Sequence, residues 1–501
     1  MPVSSPGSSD SSSSADSVAA ARGRRPQLRP PVDPPRTPIA ERAARVRFRR
    51  ALSYMAMTLV LPGSAQLAAG NRRVGRIALS VWAMVLLSAA IIGVRIAIDP
   101  AYGLQLATGT GFLAVLRYAL LLGAVGWAML FMDAWRLGQP LTLGLSHRRA
   151  VVGVNGLLCF TVAGTMLFGA HLVGVQRDFM LTMFGNGPAS GAHDGRYNVL
   201  LMGGDSGAGR WGLRPDSMTV ASIDAETGRT VLISLPRNMK NFPFPKGTVM
   251  HQQFPHGFDA DYLNGVNTWA MDNTQLFPKS QHPGIDATIM AIEGITGLQI
   301  NYWAMVNLQG FKDLVNAVGG ITLNVRQPIP VGGLGDDVVG YIPTGVRKLN
   351  GMQTLWFARA RDGSDDYSRM ARQKCVMNAM LHQISPQVAV TNFEKIADAS
   401  TELISTDIPT SEVGRFVTLA LKARDQKIST LSLVPPMIDT ANPDIGLIHR
   451  KVAQAIDKAE GDAPAPTKTR SATSDVVTGG SIGSLSRGYA ANEAGDLSAV
   501  C

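Results

Sequence analysis

Apolar positions along this chain fall into two regimes. Over residues 77–94, 112–132 and 150–175 they run almost unbroken. The first run holds no charged residue, the second only Arg117, and the third is interrupted by Asn155 and His171. Each is long enough to cross a hydrocarbon core of about 30 Å, so three transmembrane helices are expected within residues 77–175. From residue 196 onward the apolar runs shorten and turn residues separate them. Residues 197–202, 218–224 and 230–235 predict three strands, with 226–229 as a hairpin turn. Helical spacing recurs at 266–273, 285–296, 309–318, 352–359 and 369–384, with strand-like stretches at 303–307 and 321–325. Residues 241–265, rich in Pro and Asn, read as a long loop of the kind that is more often functional than connecting. The interleaving predicts an α/β protein: an α/β sandwich over residues 196–460, placed after the membrane region by a polar, Gly-rich linker at 176–195.

The ends differ in composition. Residues 1–50 are expected to form a disordered basic tail, Ser-, Pro- and Arg-rich at its start, without the short apolar run and small-residue site of a cleavable signal peptide. Residues 461–501 are rich in Ser, Gly and Ala and are also expected to be disordered. Residues 51–76 are apolar around Leu61-Pro62-Gly63 but carry arginines on both flanks, which favours a segment that dips into the membrane or lies on it.

Charge gives the orientation. The 501 residues carry a net charge of +10, with 18 arginines, no lysine and six acids in residues 1–150, leaving 29 basic and 31 acidic residues for the rest. The positive charge therefore belongs to the N-terminal region, and a nucleic-acid binder, which would concentrate it on the folded domain, is not expected. The loop at 99–111 has no basic residue, whereas the next contains Arg136, Arg148 and Arg149. The positive-inside rule then puts the N-terminus in the cytoplasm, the protein in the plasma membrane as a multi-pass chain, and the C-terminal domain outside. Arg95 and Arg117 fall near the outer face, where long side chains snorkel. Three cysteines are too few for a disulfide framework or a zinc cage. Cys375 and Cys501 could pair, but the sequence favours a buried Cys375 and a free Cys501.

Two stretches concentrate chemistry. Leu200–Asn238 holds Gly204-Asp205-Ser206, Arg214-Pro215-Asp216-Ser217 and Ser234-Leu235-Pro236-Arg237. Residues 358–373 hold Arg359, Arg361, Asp366, Arg369, Arg372 and Gln373. Arginine presents a planar fork that matches phosphate oxygens in pairs and stays charged at any working pH. Aspartates beside such arginines suit a divalent cation shared with the same phosphates. If the three early strands form an antiparallel meander, Asp205, Arg214, Asp216 and Arg237 meet at one sheet edge. Arg369, Arg372 and Gln373 share one helix face. The pattern predicts a diphosphate site. Gly204-Asp205-Ser206-Gly207 echoes a serine-protease nucleophile but lacks its partners, and His251, His256 and His282 lack zinc spacing.

In unbroken order from about residue 196 to 386, these motifs, together with Leu263-Asn264, Gly310-Phe311 through Ile321 and Leu349-Asn350-Gly351-Met352-Gln353, resemble the LytR–CpsA–Psr family. That resemblance implies a phosphotransferase. It would attach a polyprenyl-diphosphate-linked glycopolymer, such as teichoic acid, to peptidoglycan through a phosphodiester and release polyprenyl phosphate. Carried over by motif, Asp205 and Asp216 would hold Mg²⁺, with Mn²⁺ as a substitute. Arg214, Arg237, Arg359, Arg361, Arg369, Arg372 and Gln373 would bind the diphosphate, with Asp216, Arg214, Arg237 and Arg361 at the reacting centre. Two positions depart from the family pattern: Asn238 stands where Asp is usual, and Arg210 follows the first motif late. The sequence leaves open a lipid-diphosphate sensor or scaffold and a polyprenyl-diphosphate hydrolase, because the same site would serve each.

Overall fold

The computed structural model describes residues 38–184, 189–204, 214–333, 337–361, 365–384, 404–461, 492 and 494–501. Six helices come first: α1 (Pro38–Val60), α2 (Ser64–Ala68), α3 (Arg72–Ile98), α4 (Pro100–Thr108), α5 (Thr110–Leu137) and α6 (Leu145–Met183). Three stretches, Arg72–Ile98, Thr110–Thr142 and Leu145–Thr182, are long and apolar enough to cross a membrane. Their outer faces expose Leu87, Leu122 and Phe160, residues that water would not favour.

Two expectations for this region change. Residues 38–50, expected within a disordered tail, belong to α1, whose Ala51 and Met55 pack with Leu143 and Val151. This Ala- and Arg-rich run has good helix formers, and its apolar end has a surface to cover. Residues 176–183, expected within a linker, continue α6. After α1 the chain turns at Gly63, where φ is 95° and a Cβ would stand 2.6 Å from the Gly75 carbonyl oxygen, so only glycine fits.

Among the described residues the following domain has ten strands: β1 (Arg196–Gly204), β2 (Pro215–Asp224), β3 (Thr230–Leu235), β4 (Tyr302–Asn307), β5 (Ile321–Val325), β6 (Ile329–Gly332), β7 (Val338–Ile342), β8 (Gly345–Leu349), β9 (Ile404–Thr406) and β10 (Ser429–Ser432). Its helices are α7 (Val249–Gln253), α8 (Val266–Asp272), α9 (Pro283–Thr296), α10 (Leu308–Ala317), α11 (Gly351–Arg359), α12 (Asp366–Gln383), α13 (Thr410–Arg424), α14 (Ile445–Glu460) and α15 (Leu497–Val500). Six strands form one mixed sheet in the order β10-β3-β2-β1-β4-β9. The expected antiparallel meander of β1, β2 and β3 is present, with Leu200 opposite Val220 and Val220 opposite Ile233. Strand β4 adds to β1 in parallel, as does β10 to β3.

Alternation along these strands sends side chains to two covered faces. Leu200, Met202, Val220 and Ile233 pack into the larger core with Val266, Ile292 and Ile448 from α8, α9 and α14. Ala221 and Leu232 point the other way, against Ala371 and Cys375 of α12. The result is an α/β sandwich with helices on both faces. Strands β5 and β8 pair outside the main sheet, as do β6 and β7.

The end of the chain also differs from expectation. Asn492 and Ala494–Cys501, placed by sequence in a disordered tail, lie against the domain. The Leu497 amide donates to Ile428 O at 2.9 Å, the Thr430 amide donates to Ala494 O at 2.8 Å, and Leu497 is fully buried. Cys375 and Cys501 form a disulfide, which corrects the expectation of two free thiols. Cysteines 126 residues apart give no local sign of pairing.

Candidate functional site

The site grows out of the meander. The register between β1 and β2 shifts at Gly203/Gly204, where Gly204 faces Pro215, and Asp216 follows at the start of β2. Arg237 comes two residues after β3 ends, so both reach the same sheet edge. Its backbone is held there, because its carbonyl accepts from the Asn264 amide at 3.1 Å. The first turn of α12 arrives from the other side. Asp365 caps this helix by accepting from the Ser368 amide at 2.7 Å, and Asp366 occupies the first turn, where a helix favours negative charge.

These pieces close into an ion cluster. Arg237 Nη1 donates to Asp216 Oδ1 at 2.6 Å, and Arg237 Nε donates to Asp366 Oδ2 at 3.3 Å. The other Asp366 oxygen lies 3.3 Å from Arg361 Nε and 3.9 Å from Arg369 Nη2. Arg369 Nη2 also donates to the Asp216 carbonyl at 3.2 Å. Gln373 Oε1 accepts from Ser217 Oγ at 3.0 Å, which ties α12 to β2. Among the described residues, Arg361 Nε and Arg369 Nε are buried without a hydrogen-bonded acceptor. Buried donors of that kind have spare capacity for an anion's oxygens.

Electrostatics follows from the packing. Burial alone would raise the Asp366 pKa, but the charges of Arg369, Arg237 and Arg361 outweigh it and hold the carboxyl below its usual value. Burial opposes the charge on Arg237 as well, yet Asp216 and then Asp366 raise its pKa overall. Arg369 is buried and has arginine neighbours, which lowers its pKa to about 10 despite Asp366. Burial, with Arg369 next to it, does the same to Arg372. All remain cations at neutral pH.

The expected site residues are thus distributed unevenly. Asp216, Arg237, Arg361 and Arg369 join one cluster, Arg361 through Asp366. Gln373 and Arg359 line the adjoining cavity, with Arg359 also 5.9 Å from the Trp356 ring. Arg214 is half-exposed and pairs with Asp261 at 2.9 Å, outside the cluster. Arg372 is 1% exposed and donates to the Ala360 carbonyl, so it buttresses the turn before Arg361 and does not line the cavity. Asp205 and Arg210 lie outside the described residues. Asn238 takes part in none of the ion pairs among the described residues. Two carboxylates not assigned a role by sequence emerge here. Asp366 is the hub of the cluster, and its place three residues before Arg369 was the available sign. Asp261, the partner of Arg214, sits in the long loop and had none.

A cavity of about 180 Å³ opens beside the cluster. Asp216, Arg359, Arg369 and Gln373 line one end, and Leu201, Val306, Phe311, Leu355, Val376 and Met380 line the rest. A second cavity of about 480 Å³ adjoins it along the same sheet face, sharing Leu201, Met377 and Met380 and walled by Ile223, Leu232, Phe416 and Ala420. A charged head at the sheet edge with an apolar body along the sheet suits an amphiphile whose polar end is anionic.

Residues 176–458, more than half of the chain, match the LytR_cpsA_psr family profile. Among similar proteins, Biofilm regulatory protein A of Streptococcus mutans is 26% identical over 266 residues, 52% of this chain and 61% of that protein. The polyisoprenyl-teichoic acid–peptidoglycan teichoic acid transferase TagU of Oceanobacillus iheyensis is 28% identical over 239 residues, 47% of this chain and 66% of that protein. The chain thus spans less than two thirds of the length of either. Among solved structures, Bacillus subtilis TagV aligns with a TM-score of 0.39 at 24% identity, covering 54% of this chain and all of that one. The gbs0355 protein of Streptococcus agalactiae aligns with a TM-score of 0.42 at 23% identity, covering 54% and 90%. The family match spans both halves of the arginine–aspartate cluster, and the chain belongs to the LytR_cpsA_psr family.

Proposed function

We propose that the protein transfers a glycopolymer from a polyprenyl-diphosphate carrier to peptidoglycan on the outer side of the plasma membrane. One observation carries this reading: the Arg237–Asp216–Asp366–Arg361–Arg369 cluster borders an apolar cavity, which Asp216 and Arg369 help to line. The cluster suits a diphosphate and the cavity suits the first isoprenoid units. Relatives named as teichoic acid transferases support the donor and acceptor classes.

In this reading the acceptor hydroxyl oxygen attacks the phosphorus that carries the glycan. A new P–O bond forms, the bond to the bridging oxygen breaks, and polyprenyl phosphate leaves with the electron pair. Arg237, Arg361 and Arg369 stabilise the charge that builds on the phosphoryl and leaving oxygens, the main requirement of such a transfer. Asp216 is a candidate acceptor for the hydroxyl proton, and its pairing with Arg237 orients it. Mg²⁺ is the cation this reading expects, although the described residues contain no group of three or more metal-ligating side chains. Asp216 gives only Oδ1 to an ion pair among the described residues, and Mg²⁺ needs few protein ligands because phosphate and water supply the rest. Asp216, with Asp205 as its sequence partner, would hold the ion, which neutralises phosphate charge when bound.

The test combines the full chain, Mg²⁺, a synthetic polyprenyl-diphosphate oligosaccharide and peptidoglycan oligomers. A phosphodiester-linked product supports transfer. Binding without turnover indicates a scaffold, and cleavage with water alone indicates a hydrolase. Either overturns the proposal.

A further inference from the structure

We propose that the seam between α4 and α13 is the portal through which the lipid tail enters from the bilayer, an inference that rests on the polyprenyl-diphosphate reading above. Helix α4 connects α3 and α5, both within stretches long and apolar enough to cross a membrane. Two such stretches, containing α5 and α6, separate α4 from the domain. If both cross, α4 and the domain share a side whichever side that is. Their packing agrees. Gly414 of α13 lets α4 approach so closely that a Cβ there would stand 3.2 Å from Gln105 Cα and 3.3 Å from Thr108 Oγ1.

A third cavity, of about 490 Å³, lies in this seam between Gly103, Leu104 and Ala107 on one side and Thr418, Leu421 and Lys422 on the other. Leu421 also lines the second cavity, which in turn shares Leu201, Met377 and Met380 with the first. Shared wall residues therefore make the three cavities successive neighbours between the arginine cluster and the helix that joins two membrane stretches. The occupant of this seam is the distal part of the prenyl chain. Each isoprene unit exposed to water is unfavourable, so a tail drawn from the bilayer gains from an apolar wall along its route, which Leu104, Ala107 and Leu421 offer at the membrane end. Lys422, whose Nζ donates to the Glu226 carbonyl at 2.6 Å, and Asp425 are the charged residues of this lining, and exposed long side chains of that kind can lie at a headgroup surface.

The experiment uses the full chain in nanodiscs with two probes: a fluorescent undecaprenyl diphosphate in the bilayer, and geranyl diphosphate in water, too short to need the portal. Ala107→Trp and Thr418→Trp fill the seam from opposite walls. The expected result is capture of the long probe reduced at least tenfold, with geranyl diphosphate affinity within twofold of the parent chain. Two variants on different elements guard against a folding defect in either, which would show as loss of the short probe too. Long-probe capture within twofold of the parent in both variants overturns the portal. Failure of the parent chain to bind geranyl diphosphate would instead remove the reading on which the portal rests.

Discussion

Asp366 and Arg237 stand 129 residues apart in the chain, yet Oδ2 of the first lies 3.3 Å from Nε of the second. That contact joins the meander edge to α12 and makes one site of two sequence stretches. Asp366 touches three arginines, so it acts by positioning them.

Removing its charge should therefore loosen the cluster. Asp366→Asn is expected to lower kcat/KM for transfer about tenfold, by misplacing groups that must stabilise the transition state. The pH dependence of stability distinguishes this from a local packing defect. The folded-state pKa of Asp366 is depressed, so its contribution is present above the unfolded value near 3.8 and is lost as pH falls through the folded value. Melting temperatures of the parent chain and Asp366→Asn should differ at pH 7 and converge as pH falls below about 4. A constant gap down to pH 2.5 would contradict this.

Arg237 makes a different demand. It engages two carboxylates through two different nitrogens, a geometry lysine cannot reproduce. Arg237→Lys is expected to reduce transfer by roughly 10²-fold or more, with the domain still folded by circular dichroism. Near-normal turnover would remove Arg237 from the site.

The Cys375–Cys501 disulfide ties the described end of the chain to α12. Cys501→Ser is expected to lower unfolding free energy by about 2–5 kcal/mol, read from urea denaturation under oxidising conditions. Reducing agent should destabilise the parent chain but leave the variant unchanged.

Asp407 offers a second pH signature. Burial, with Asp286 adding to it, raises its pKa to about 6, although its Oδ1 accepts from the Trp303 amide at 2.7 Å. A carboxyl raised in the folded state penalises folding above that pKa and ceases to do so below the unfolded value. Asp407→Asn keeps an acceptor for Trp303 and should stabilise the protein at pH 7.5 by about 1 kcal/mol after allowance for solvent screening. Near pH 4 the two proteins should be equal. Equal stability at both pH values would show that the group ionises freely.

Much of this arrangement was legible in the residues. The meander follows from alternation in β1, β2 and β3, and the turn at Gly228 places Asp216 and Arg237 at one edge because the strands antiparallel each other. The shared helix face of Arg369 and Gln373 follows from spacing. Depth did not. Arg369 and Arg372 share a spacing of three, yet Arg369 lines the cavity and Arg372 is sealed behind Ala360, a difference set by where α11 ends. The pairs β5–β8 and β6–β7 were only half visible, since strands such as Val338–Ile342, buried only at Ile342, leave no alternating pattern. The packing of α4 on α13 depends on a contact across some 300 residues and on the absence of a side chain at Gly414, which no local signal records.

The cations of the cluster are already answered from within the chain: Arg237 by Asp216 and Asp366, Arg361 and Arg369 by Asp366. An arriving anion does not meet a bare positive surface. It must exchange with, or squeeze beside, carboxylates that are covalently part of the protein and never diffuse away. Chloride or acetate returns no more charge and fewer oxygens than it displaces, whereas a diphosphate brings several oxygens and more than one charge to the same forks. Internal pairing thus weights the cluster against small monovalent anions and toward any ligand that brings several oxygens and more than one charge.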